Sequence, residues 1–309
     1  MLSAKRLFKD YALLWSMLLG VIVSPWAYRL AFVLPYSLFV MLALSYTRIA
    51  PSDLKVTRTH IVLFIAQWIL GPLVYLLLRP YDELLAQGLA LIILTPTATS
   101  ASVITAMMGG SMSFVVAALI PGNILMALVS PLLISYLYPS TTTGGYLATV
   151  LQMLAQVSGL LILPILVVWG LRWTLPKVHQ CLQKRVNWTF YIWCLCLIIV
   201  TSNTIHFFVV HDELSLKYGL LLGGGSLAVC LAQFRLGRYV GKKLDGIAVN
   251  SGQTLGQKNT VLAIWIALTF MNPLVSILPS FYVIWQNVVN SIELANYKRQ
   301  EVRKAIGEI

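Results

Sequence analysis

The chain has 309 residues, of which 59% are hydrophobic and only 10% charged, with a mean hydropathy of +0.82. Soluble domains are about 25% charged, so this much apolar surface cannot be hidden from water and lipid is the solvent for most of the chain. The net charge of +12 comes without RNP-like or Cys/His finger patterns, so nucleic-acid binding is not indicated.

The start, MLSAKRLFKDYALLWSMLLGVIVSPW, has the basic residues and apolar run of a signal peptide. No A-x-A cleavage site follows, so it reads as a first helix that stays attached. Further apolar runs fall at about 27–47, 60–78, 84–108, 113–138, 146–171, 187–209, 217–234, 246–271 and 273–296, after the first at 11–24. About 20 apolar residues span a bilayer, so the pattern predicts an all-α polytopic membrane protein with ten transmembrane helices. The four cysteines, Cys181, Cys194, Cys196 and Cys230, form no CxxC pair, and three lie in apolar runs; they read as small buried hydrophobes.

Charge sets the orientation. With the N-terminus inside, 18 of the 22 Lys and Arg fall on inside segments, while Arg29, Arg79 and Lys217 fall outside. This positive-inside bias predicts both termini in the cytoplasm. Five helices precede the loop near 139–145 and five follow it. An odd number per half makes the halves inverted repeats, about 1–140 and 141–309, within a single transporter domain.

The fourth and ninth helices each carry a polar, breaker-rich interruption: TPTATSAS (95–102) and NSGQTLGQKN (250–259). Pro96 removes a backbone donor, and Gly252 and Gly256 weaken the ninth helix. Backbone groups freed inside a membrane must face protein, water or an ion. Paired breaks of this kind point to a transport site. The candidates to complete it are Thr95, Thr97, Thr99, Ser100, Ser102, Gln253, Thr254, Gln257 and Asn259. The bland alternative for each hydroxyl is close helix packing.

No Asp or Glu lies at mid-membrane; Glu293 is near the cytoplasmic end of the last helix. A carboxylate proton relay and an acid-dependent membrane enzyme therefore have no candidate residues. His60, His179, His206 and His211 fall at helix ends or in loops, so neither a metal site nor a Ser–His pair is indicated. The protein is expected not to be an enzyme and to carry no cofactor. Lys258 stands apart. A lysine at a helix centre costs about 2.5–3.5 kcal/mol on insertion scales. Such a residue faces the protein interior or snorkels to an interface. Its position, about a dozen residues from either end of its helix, favours the interior.

At these residues the chain resembles the bile acid:sodium symporter family. LTPTATSASVIT (94–105) is similar to that family's Pro-Gly-Gly-Thr-x-Ser-Asn-Val-x-Thr segment, and TLGQKN (254–259) to Glu-x-Gly-x-Gln-Asn. AQWILGP (66–72) and the last helix, ILPSFYVIWQNVVNSIELANYKR (277–299), extend the likeness over nearly the whole chain. The resemblance implies panel helices 1, 2, 6 and 7 and core helices 3–5 and 8–10, with broken helices 4 and 9 crossing beside two sodium sites. It also implies departures. The family's shared glutamate falls at Thr254, its following glutamine at Lys258, its asparagine at Ser102 and the serine before that at Ala101. Fifth-helix hydroxyls fall near Leu119 and Asn123; only Gln67 and Asn259 stand as in the family.

The charged sodium ligand is thus replaced, and a fixed cation stands one turn away. The expectation is that Lys258, held by Gln67, Thr254 and freed carbonyls, substitutes for a sodium ion; proton coupling through it stays open. The implied function is a secondary-active, alternating-access transporter of a small organic anion such as a bile acid, a steroid sulfate, pantoate or pyruvate. Alternatives are a sodium-coupled symporter with altered ligands and a non-transporting sensor. The expected site residues are Lys258, Asn259, Gln67, Thr254, Gln257, Thr99, Ser100, Ser102 and Asn123. Trp26, Trp68, Trp169, Trp188 and Trp193 either line a cleft or anchor at the lipid interface. The expected setting is a cell inner membrane, as a monomer; the lone N-x-T, Asn187–Thr189, lies on the expected cytoplasmic side.

Overall fold

A computed structural model describes residues 12–50, 54–137, 145–210 and 216–305. Helix covers most of every apolar run named above. In chain order the α-helices are α1 (Ala12–Ile22), α2 (Ser24–Ala27), α3 (Leu34–Tyr46), α4 (Arg58–Leu78), α5 (Glu83–Leu94) and α6 (Ser100–Met107). They continue as α7 (Met112–Leu137), α8 (Gly145–Leu161), α9 (Leu163–Thr174), α10 (Pro176–Lys184) and α11 (Trp188–Val210). The last are α12 (Leu216–Leu244), α13 (Ala248–Gly256), α14 (Thr260–Phe270) and α15 (Ile277–Ala305). A 3-10 stretch, Tyr28–Val33, joins α2 to α3.

Among the described residues, six helical stretches are long and apolar enough to cross a membrane: Ser24–Tyr46, Arg58–Leu78, Met112–Ser135, Tyr146–Thr174, Trp188–Phe207 and Leu216–Leu244. Their outer faces carry exposed Ile, Leu and Val, as Ile61, Ile65, Ile69 and Leu76 do on α4. A soluble protein does not tolerate such continuous apolar surface; lipid requires it. The basic start at Lys5, Arg6 and Lys9, both extreme termini and most of the loop near 139–145 lie outside the described residues. One helix was not foreseen: α10 runs through the basic loop after α9 and buries its own His179.

Helix starts follow local chemistry. Thr57 and His60 form a reciprocal capping pair at the start of α4, and the Asp82 carboxylate accepts from the Leu85 N–H at 2.7 Å to open α5. One large apolar cluster joins α3, α5, α7, α8, α9, α11 and α14. α1, α2 and α3 lie against α11, and α3 also lies against α9. α4 lies against α5; α12 lies against α13 and α15; α6 lies against α7 and α13.

The α12–α13 contact is the tightest of these and is made by glycines. A Cβ at Gly237 would fall on the carbonyl oxygen of Ser251, and one at Gly241 on the Ser251 side chain. On α13, Gly256 lies against the Phe234 ring and Gly252 against Arg238. This corrects the expectation that Gly252 and Gly256 loosen the helix. Both remain helical, and their lack of a side chain lets α12 approach.

Gly237→Ala must push backbone apart, so it is expected to cost about 1–3 kcal/mol. Gly224→Ala on the same helix meets nothing within 4 Å and should leave stability unchanged or raise it by up to about 1 kcal/mol. Thermal melts of the two variants in detergent, read by size-exclusion recovery, check the contrast.

Candidate functional site

The site forms where two helices stop at once. Pro96 has no N–H and disfavours helix at Thr95, so α5 ends at Leu94 and helix resumes at Ser100. The second interruption is shorter than 250–259: α13 stays helical to Gly256, and only Gln257, Lys258 and Asn259 depart before α14 begins. At about 1.5 Å per residue, α5 is about 18 Å long and α14 about 16 Å. Each is roughly half of a hydrocarbon core about 30 Å thick, too short to cross it alone.

Both breaks leave backbone groups without helical partners, and each supplies the other. The Ala98 N–H donates to the Gln257 carbonyl at 2.8 Å, and the Asn259 N–H to the Pro96 carbonyl at 2.9 Å. These bonds make an isolated antiparallel β-bridge between Thr97 and Lys258. Side chains satisfy several more. The Thr97 hydroxyl donates to the Thr254 carbonyl at 2.7 Å, the Tyr282 hydroxyl to the Gly256 carbonyl at 2.6 Å, and the Lys258 N–H to Gln286 Oε1 at 3.0 Å.

The C-terminal end of α5 is capped in the same manner. Ile93 and Leu94 would have bonded to the N–H groups of residues 97 and 98 in an unbroken helix. Instead the Lys258 ammonium donates to the Ile93 carbonyl at 3.0 Å, and Gln67 Nε2 to the Leu94 carbonyl at 2.7 Å. Lys258 Nζ also donates to Gln67 Oε1 at 3.1 Å. Lys258 is 1% exposed, so it does not snorkel. Its ammonium partners are neutral oxygens at the negative end of a helix dipole, which favours a cation there.

Opposite this end, α6 and α14 begin. Their N-termini carry partial positive charge. Asn259 caps α14, its Oδ1 accepting from the Leu262 N–H at 3.3 Å. Ser102 donates to the Thr99 carbonyl at 2.9 Å, and the Gln257 amide donates to the Ser100 hydroxyl at 2.9 Å. Thr99 and Ser100 are half-buried, whereas all of 251–260 is buried. The accessible side of the crossing is therefore the start of α6.

Eight of the nine expected residues thus sit on or beside the paired breaks, and two details differ from expectation. The Thr254 hydroxyl bonds back to the Asn250 carbonyl at 2.8 Å, one turn earlier on its own helix, and is not a partner of the ammonium. Asn123 donates to the Tyr46 hydroxyl at 2.6 Å, tying α7 to α3 instead of entering the break. Among the tryptophans, Trp26 and Trp188 are largely exposed, while Trp68, Trp169 and Trp193 pack against the apolar core.

Several functional neighbours were not foreseen. Tyr282, Gln286, Asn290 and Glu293 run down one face of α15 toward the break. Their spacing of four, four and three residues is a helical stripe, legible in principle within YVIWQNVVNSIE. Arg238, expected simply as a basic-loop residue, pairs with Glu293.

Residues 31–212 match the model of the SBF-like CPA transporter family. The chain belongs to this family. The matched span includes the first break and stops before the second. Comparison with curated proteins returns no match. Membership in the SBF-like CPA transporter family and the apolar helices identify a multi-pass membrane protein from a group of transporters, in agreement with the resemblance to the bile acid:sodium symporter family.

Gln67→Leu removes an acceptor from the ammonium and a donor from Leu94. Each buried group left unpaired costs about 1–3 kcal/mol, so this variant should melt well below wild type, while Gln67→Glu, which keeps the acceptor, should melt closer to it. Paired thermal melts check this ordering.

Proposed function

We propose that this protein is a secondary-active transporter of a small organic anion, working by alternating access without sodium, with Lys258 as a built-in cation in place of a bound ion. The observation that carries this is the enclosed ammonium of Lys258 on the Ile93 carbonyl at the end of α5. A mobile sodium ion would seek the same kind of oxygen-lined, negative helix end. A covalently attached amino group stays at that end through the cycle, so binding and release of sodium are not needed to assemble the site.

The reading extends to the whole architecture. Ten transmembrane helices form two inverted five-helix repeats within one domain. α5–α6 and α13–α14 are the broken helices 4 and 9, and they cross at the bridge. α1 to α3 and α8 to α11 serve as the panel, and α4 to α7 with α12 to α15 as the core. The substrate anion meets the positive start of α6 at Thr99 and Ser100, between panel and core. Ser102 and Gln257 hold that start in place, and Asn259 caps the start of α14. The basic segments face the cytoplasm, the setting is a cell inner membrane, and the working unit is a monomer.

The test is uptake of labelled taurocholate, pantoate and pyruvate into proteoliposomes, in sodium and in sodium-free potassium medium. At least one anion should enter equally well in both. Lys258→Gln should lower that uptake about tenfold or more, the effect of losing a charge-assisted contact of 1.5–3 kcal/mol. Uptake that strictly requires sodium in the wild type would contradict the substitution. Saturable binding with no uptake of any anion would favour a sensor on the same fold.

A further inference from the structure

We propose that Glu293 is a proton-binding site and that its protonation state is transmitted to Ser100 at the break through a reversible chain of amides, making the proton the coupling ion. The inference rests on the carrier reading above for the use of the proton, but the site itself stands on separate residues.

Glu293 lies on α15 three residues beyond Asn290 and seven beyond Gln286, on the face turned to α13. One carboxylate oxygen is paired with Arg238 of α12. The Glu293 side chain is 13% exposed and that of Arg238 is 39% exposed, so the pair spans from buried protein to water. The other oxygen accepts from Gln253 Nε2 at 3.3 Å. The same Gln253 amide nitrogen donates to Asn290 Oδ1 at 2.8 Å. Asn290 Nδ2 donates to Gln257 Oε1, and Gln257 Nε2 to the Ser100 hydroxyl at 2.9 Å. Three side-chain amides thus link a carboxylate at the water edge to a hydroxyl on the accessible side of the crossing.

The polarity of this chain is dictated from one end. An ionised carboxylate only accepts, so Gln253 must present its NH2 group. Each following amide has one donor and one acceptor end and must align in turn. The arrangement leaves a remainder: Gln253 Oε1 is buried with no partner, although Gln253 is only 1% exposed. Buried acceptors of this kind call for an explanation. A proton on Glu293 would let Gln253 Oε1 turn to accept from it, with the Gln253 NH2 group taking the vacated position.

The step balances simply. A proton from water forms one O–H bond on the Glu293 carboxylate, and no other covalent bond changes. The carboxyl then donates, and Gln253 rotates to bring Oε1 onto that O–H. Asn290 rotates to donate to Gln253, Gln257 rotates to donate to Asn290, and Gln257 Oε1 now accepts from the Ser100 hydroxyl. In the ionised state the Ser100 hydroxyl hydrogen is left for a ligand at the start of α6; in the protonated state Gln257 takes it. The groups facing Glu293 are Arg238 and, further along α12, the Cys230 thiol. α13 bears no ionisable side chain from Ala248 to Gly256. The Tyr297 hydroxyl, one turn on along α15, lies against Gly109.

The test uses the full chain in lipid nanodiscs, titrated between about pH 5 and about pH 9. Infrared difference spectra should show a carboxylic C=O band that titrates in the wild type and is absent in Glu293→Gln. A Thr99→Cys reporter in a Cys181→Ser background should change its maleimide labelling rate about fivefold or more at the same midpoint, after normalisation to the unfolded chain. Gln253→Leu keeps the carboxyl but cuts the chain, so its band should persist while the reporter response disappears; this arm stands even if Glu293→Gln does not fold. Absence of a titrating band in the wild type, a band unchanged in Glu293→Gln, or a reporter response that survives Gln253→Leu would overturn the proposal. Neither readout requires flux. A titrating band and reporter without uptake of any anion would therefore contradict the carrier reading and leave the proton site intact.

Discussion

The structure depends on one constraint: backbone groups freed at membrane depth must find partners inside the protein. Two helices are interrupted, and each exposes polar backbone where water is scarce. The Thr97–Lys258 bridge resolves both interruptions together, because each break supplies the donor and acceptor the other lacks. What the bridge leaves over is taken by Gln67, Thr97, Tyr282, Gln286 and the Lys258 ammonium. Each break supplies backbone partners to the other, so the crossing joins two distant parts of the sequence.

The surrounding architecture serves this unit. α12 approaches α13 closely enough to hold it because Gly237 and Gly241 offer no side chain to Ser251. α15 lays a polar face along the second break, and α4 reaches the first through Gln67. The electrostatics then follow from geometry. One negative helix end is closed by the Lys258 side chain, while the start of α6 remains on the accessible side of the crossing.

Much of this was legible in the sequence, for physical reasons. Apolar runs in lipid have few alternatives to helix, so the helices fall where hydropathy puts them. A proline beside hydroxyls and a lysine inside an apolar run are each costly unless a break or an interior partner exists, which made Thr95–Ser102 and Lys258 conspicuous. What stayed hidden depends on three-dimensional neighbours. Gly252 and Gly256 read as helix weakeners because their use, close approach of Arg238 and Phe234, lies on another helix. Thr254 read as a ligand because nothing local reveals that its hydroxyl turns back to Asn250. Glu293 read as a residue of the cytoplasmic edge, since the sequence does not reveal that Gln253 and Asn290 connect it to the break.

The central claim is that the Lys258 ammonium is enclosed at the meeting of the two breaks. Reductive methylation of the folded protein in detergent, followed over time by peptide mass spectrometry, tests it directly. Lys258 should stay unmodified while Lys177, Lys184 and Lys242 are methylated, and should react only once the chain is unfolded. Methylation of Lys258 in the folded protein at the rate of those surface lysines would contradict the account.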